Sequence, residues 1–150
     1  MTPDQRIAIT DFFQAVARLE ELEVIRSSRF LGDIGEFLCK EGFGVILSDQ
    51  LRQTGHDGND DSGRVQIKFN NSIKGTNIDV GDPNKYETLM VVIGPSSKLK
   101  EKNHGAHEFK LYRYTKDEVL SWKSKGNKYY CAKTRLIKCI AKASLTTGAT

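Results

Sequence analysis

Apolar residues recur at three- and four-residue steps at the start of the chain. Ile9, Phe12, Phe13, Val16, Leu19 and Leu22 fall on one side of a helix, and that side is expected to be buried. Thr2 suits its N-cap, Pro3 its first turn and Asp4 the positive end of its dipole. A second helix is predicted over residues 28–40, with Phe30, Leu31, Ile34, Phe37 and Leu38 as its stripe and Gly42 and Gly44 ending it. The period then changes. Residues 45–47 read as a short strand, and the polar stretch 54–63 carries turn chemistry throughout. Over 64–69, Val65, Ile67 and Phe69 alternate with Arg64, Gln66 and Lys68, as on a strand with two unlike faces. Residues 71–87 read as a long connection. LMVVIGP (89–95) is continuous enough to be a strand buried on both faces. A basic loop follows, and residues 108–114 alternate again. Thr115 caps a short helix, TKDEVLSW, with Glu118 completing a capping box. Helix, helix, strands, helix predicts one α/β domain over residues 1–150, a central mixed sheet flanked by helices.

Composition narrows the class. At 38% apolar and 28% charged, the 150 residues are too apolar for a disordered chain and too polar for a membrane protein. No apolar run approaches a bilayer span, and MTPDQRIAIT lacks the core of a secretory signal, so a cytoplasmic protein without membrane contact is expected. Cys39, Cys131 and Cys139 are odd in number and lack C-x-x-C spacing. Cys39 and Cys139 sit among apolar neighbours and read as small core residues. His104 and His107 have a spacing a metal uses on a helix, but Gly105 points to a loop. The net charge of +4 is uneven. Residues 1–75 hold 9 Lys/Arg and 12 Asp/Glu, and residues 76–150 hold 14 and 7. A basic half suits a polyanion such as nucleic acid, or simply a solvated lysine-rich surface.

The candidate chemistry lies in GHDGNDDSGRVQIKF, residues 55–69. A calcium loop on Asp57, Asn59 and Asp61 fails, because Ser62 stands where glycine is required and Lys68 where a bidentate glutamate is required. An Asp/Gly-rich hairpin with a polar outer face explains the turn, but not why Gln66 and Lys68 share a face beside it. The third possibility is a metal-dependent nuclease site. Phosphodiester hydrolysis needs oxygen ligands for Mg²⁺, an activated water and a positive group for the developing charge. Asp57, Gln66 and Lys68 supply such groups, and Glu36 on the second helix is the candidate second carboxylate. His56 reads as a loop residue.

An Asp, a turn and then (E/Q)-x-Lys, here Asp57 and Gln66-Ile67-Lys68, resembles the core motif of the PD-(D/E)xK nuclease superfamily. That superfamily includes type II restriction endonucleases, Holliday-junction resolvases and Mrr-like enzymes. Gly35-Glu36 resembles its helical glutamate. The likeness covers about residues 28–115, leaving a basic C-terminal extension over about 116–143. Gln66 stands in place of the usual acid, as in Mrr-like variants, and His56 in place of the proline before the aspartate. The resemblance implies a restriction-endonuclease-like core, a mixed and mainly four-stranded sheet. It implies Mg²⁺, with Mn²⁺ able to substitute, held by Asp57, Gln66 and Glu36, and Lys68 orienting water or stabilising charge. Asp60 is the fallback ligand. The expected activity is Mg²⁺-dependent hydrolysis of DNA, with a homodimer if both strands of a duplex are cut. Lys98, Lys100, Lys102, Lys133, Arg135 and Lys138 are the expected phosphate contacts. Tyr129 and Tyr130 suit either base stacking or the core. The alternatives are a catalytically inactive DNA-binding or accessory module of a defence system, and a protein-interaction domain.

Overall fold

A computed structural model describes residues 1–49 and 55–144 of the chain. Position 54 of the polar stretch and most of the SLTTGAT tail lie outside the described residues. Helix α1 spans Pro3–Glu21 and α2 spans Phe30–Phe43. Among the described residues eight strands follow: β1 (Ile46–Leu47), β2 (Gly58–Asp60), β3 (Gly63–Asn70), β4 (Ile78–Asp79), β5 (Thr88–Ile93), β6 (Glu108–Thr115), β7 (Tyr130–Cys131) and β8 (Ala141–Ser144). Helix α3, Lys116–Leu120, lies between β6 and β7.

The chain is α/β, but the four-stranded core is not what forms. Six strands make one mixed sheet in the order β1-β2-β3-β5-β6-β8, and β4 and β7 pair as a separate ribbon. Among the described residues only β3 and β5 run parallel, with Val65 beside Thr88 and Lys68 beside Val91. The other pairs are antiparallel. β1 falls on the short strand expected at 45–47. The additional strands, β2, β4, β7 and β8, are two to four residues long, too short for a period of two to stand out. Two of them, β7 and β8, come from the basic stretch read as an extension. There Ala141 and Ala143 pack on the core while Lys142 stays exposed.

Each face of the sheet has its own core. Leu38 and Cys39 of α2 pack with Val65, Ile67, Met90, Val92 and Leu111. The opposite face joins Leu89, Val91, Ile93 and Tyr112 to Val80, Tyr86, Val119, Trp122, Cys131 and Leu136. All six residues of β5 are therefore buried, as its continuous apolar run predicted. Tyr129, 9% exposed, belongs to this core, and Tyr130 is half-buried. Lys110 is also buried, its ammonium donating to Glu101 Oε2 at 3.0 Å and Asn103 Oδ1 at 2.8 Å.

Local signals hold well at helix ends. Thr2 and Gln5 close a capping box on α1, and Thr115 and Glu118 close another on α3. Gly44, at φ +66°, ends α2 in the left-handed conformation that favours glycine. The expected burial of α1 does not hold: no residue of the helix is buried, and Ile9, Phe12 and Phe13 are 48%, 50% and 61% exposed. Periodicity identifies an apolar face without saying what covers it. Leu31, expected on the stripe of α2, is also exposed.

Helix α2 lies close on β3 because position 35 has no side chain. A Cβ on Gly35 would stand 2.9 Å from Phe69 Cβ, an atom too near the backbone to swing aside, whereas Gly32 faces open space. Both glycines forgo about 1 kcal/mol of helix propensity relative to alanine. We expect Gly32→Ala to stabilise the protein by up to about 1 kcal/mol. Gly35→Ala should destabilise it, since overpacking costs about 1–3 kcal/mol and outweighs that gain. Urea denaturation of the two variants checks the opposite signs.

Candidate functional site

Strand β2 begins at Gly58, opposite Val65, and among the described residues the next outward position on the edge of β3 has no strand beside it. Asp57 fills that gap twice. Its backbone N–H donates to Val65 O at 2.8 Å, and its carboxylate Oδ2 accepts the Ile67 N–H at 2.7 Å. A carboxylate thus replaces a missing strand. On the other side its carbonyl accepts the Ser48 N–H at 2.9 Å, so both neighbouring segments fix the backbone of Asp57.

From this edge the carboxylate meets groups from both faces of the sheet. Gln66 and Lys68 lie beside Leu89 and Val91, on the face away from α2. Gln66 Nε2 donates to Asp57 Oδ2 at 2.7 Å. Lys68 is half-buried, forms no hydrogen bond or ion pair with a described residue, and its charge pulls the Asp57 pKa down. Glu36 comes from α2, on the opposite face. The negative charge of Asp57 reaches it and raises its pKa.

Burial dominates the electrostatics. It is the main cause raising the Asp57 carboxyl, against the Ile67 N–H and the charges of Lys68, Arg29 and His56, which lower it. Burial also leads at Glu36, reinforced by Asp57 and opposed by Arg26. The Cys39 thiol is pushed up by its own burial and then by Asp57 and Glu36. One buried thiol therefore senses both carboxylates, which share a neighbourhood.

Sequence reading missed Arg26. Its guanidinium bonds Glu36 Oε2 at 3.1 Å and Ser48 O at 3.0 Å, tying α2 to the segment that holds Asp57. Asp33 sets the approach of that arginine by accepting the backbone N–H groups of Arg26 at 2.7 Å and Ser27 at 2.6 Å. No motif or periodicity flags an arginine ten residues before its partner in a loop.

The other candidates lie apart from this cluster. Asp60 accepts the Ser62 N–H at 2.8 Å and pairs with Arg113 at 3.2 Å, so it closes the hairpin turn. Arg64 is held by Glu87 at 2.6 Å. Lys98, Lys100 and Lys102 are exposed on the loop after β5. Lys133, Arg135 and Lys138 are exposed between β7 and β8, where the Arg135 guanidinium lies over the Trp122 ring, 5.6 Å from its centre. His104 sits in a loop with its Nε2 2.6 Å from Glu108 O.

The donor set fits a hard divalent cation. Asp57 and Glu36 each keep one carboxylate oxygen without a hydrogen bond from a described residue, and two half-buried carboxylates within electrostatic reach of each other favour a nearby cation. The fit is sparse: among the described residues no group of three or more His, Cys, Asp or Glu gathers as a metal cluster. Gln66 presents nitrogen rather than oxygen to Asp57, so its use as a ligand requires the amide to turn over.

These shifts have a definite sign. A carboxyl whose pKa is raised on folding holds its proton more tightly in the native state, so its contribution favours folding at low pH and is lost as pH climbs through the raised value. We expect Asp57→Asn to leave stability nearly unchanged well below the ordinary aspartate pKa of about 3.9, where the parent carboxyl is protonated folded and unfolded alike. At pH 7 it should raise the melting temperature by a few degrees. Thermal unfolding at the two pH values measures this, and a loss of stability at pH 7 contradicts it. No protein-family model and no curated protein matches the chain, so what this cluster does is argued from its geometry.

Proposed function

We propose that the chain is a cytoplasmic, Mg²⁺-dependent nuclease that hydrolyses DNA phosphodiester bonds. One observation carries the reading: the Asp57 carboxylate lies at the sheet edge in a hydrogen bond with Gln66, within electrostatic reach of Glu36 on one face and Lys68 on the other. Three free cysteines suit a reducing compartment.

Each side chain then has a task. Asp57 and Glu36 would hold the cation, with Gln66 as a neutral donor once its amide turns over. Bound Mg²⁺ supplies Lewis-acid polarisation of the phosphate and a more acidic water. Lys68, uncommitted to any described carboxylate within ion-pair distance, donates to a non-bridging phosphate oxygen and offsets the charge that develops there. Arg26 keeps Glu36 directed at the site by its bond to Oε2. The exposed lysines of the two basic segments contact phosphates without reading sequence.

A second reading has its own support. The amide nitrogen of Gln66 and the guanidinium of Arg26 already occupy one oxygen of each carboxylate. That arrangement suits a fold that binds DNA without cutting it.

Incubation of the purified chain with plasmid, single-stranded DNA and RNA, each with Mg²⁺ or Mn²⁺, separates the two. Nuclease action predicts cleavage that Asp57→Ala and Lys68→Ala each reduce by about 100-fold or more, with DNA binding retained. Gln66→Glu should tighten Mg²⁺ binding, read by calorimetry, and keep or raise the rate, because a carboxylate is the better ligand. Variants that cut as fast as the parent, or a parent that binds no metal and cuts nothing, remove the nuclease proposal. Binding itself should weaken steeply with salt. The pair Lys133→Glu and Lys138→Glu should weaken it alike for all sequences while sparing the Arg135–Trp122 contact, as fluorescence anisotropy on unrelated duplexes would record.

A further inference from the structure

Helix α1 is preformed, capped and left without cover. Arg6, Ile9, Phe13, Ala17 and Glu20 follow one another at steps of three, four, four and three residues, so they share one face. Every one of them is exposed, Phe13 at 61% and Ile9 at 48%. The neighbouring side leans on the body, where Phe12 meets the Phe30 ring at 5.7 Å and Val16 and Leu19 are half-buried.

The spacing is symmetric about Phe13, and the chemistry is complementary across it. Four residues before Phe13 is large Ile9, and four after is small Ala17. Seven before is Arg6, and seven after is Glu20. Neither charge has an ion pair among the described residues. Turning a second copy of α1 antiparallel about Phe13 sets Phe13 against Phe13, each Ile9 over the opposite Ala17, and each Arg6 against the opposite Glu20. A parallel pairing in the same register would set Arg6 against Arg6 and Glu20 against Glu20. Antiparallel helices also oppose their dipoles favourably. A membrane is a poor occupant, because Asp4, Asp11, Glu20 and Glu21 give the helix an acidic surface that an anionic bilayer repels.

We propose that α1 is a self-association surface on which two copies of this chain pair antiparallel about Phe13. One pair of helices buries much less than the roughly 1,600 Å² of a standard interface, so the dimer is weak and depends on concentration. The pairing does not depend on nuclease chemistry.

Sedimentation equilibrium of the full chain from about 10 µM to about 1 mM, the range of weak complexes, tests it. The parent should pass from monomer to dimer. Phe13→Asp should abolish the transition. Arg6→Glu and Glu20→Arg should each weaken association by about tenfold, because each places like charges together at two symmetric points. The double variant Arg6→Glu/Glu20→Arg restores both pairs with signs exchanged, and should return to within a few-fold of the parent. It also guards against a single variant that fails to fold. A parent that stays monomeric throughout overturns the proposal. So does association that ignores the single charge reversals, or a double variant no better than the singles.

Discussion

A single hydrogen bond, from the Ile67 N–H to the Asp57 carboxylate, decides where the chemistry of this fold can be. A sheet edge that stops pairing part-way along a strand leaves a buried donor in need of an acceptor. Meeting that need with a side chain costs a charged group part of its hydration, which is why burial leads the causes raising the Asp57 pKa. The structural role and the unusual acidity have one origin. Without the short β2, Asp57 would be an ordinary exposed loop carboxylate.

The same edge position explains how a helix on one face and a strand on the other serve a common centre. Glu36 and the pair Gln66 and Lys68 are separated by the sheet itself, and only a group at its margin can sense both. The close seating of α2 on β3 at Gly35 is what brings Glu36 near. Arg26 completes the frame by joining α2 to the segment entering β2.

How much of this was legible in the sequence depended on the length of the signal. The alternation of residues 64–69, the apolar run of β5, the Thr2 cap and the capping box of Thr115 and Glu118 were long or specific enough to read; of the hairpin residues singled out, Asp57 and Gln66 share a hydrogen bond and the charge of Lys68 reaches Asp57. The six-strand sheet was not legible. β4, β7 and β8 are stabilised by partners distant in sequence rather than by their own pattern, β2 lies inside a stretch that reads as a turn, and strands of two to four residues have no period to detect. Arg26 was invisible for a related reason: its partners Glu36 and Ser48 meet it only once α2 and β1 are in place. The apolar face of α1 was legible as a face, but its exposure follows from how the whole chain packs.

Lys110 has a consequence beyond its own burial. Its ammonium is satisfied by Glu101 and Asn103, both from the loop after β5, and Tyr112 donates a further bond to Glu101 at 2.9 Å. Lifting that loop would remove both hydrogen bonds of a buried ammonium and leave it, among the described residues, only Glu108 of β6, at 3.9 Å, so opening the loop costs more than ordinary loop opening. The segment carrying Lys98, Lys100 and Lys102 is therefore coupled to β6 as one cooperative unit. Its basic side chains are presented from a fixed base, with little backbone entropy left to lose if the loop is ordered further.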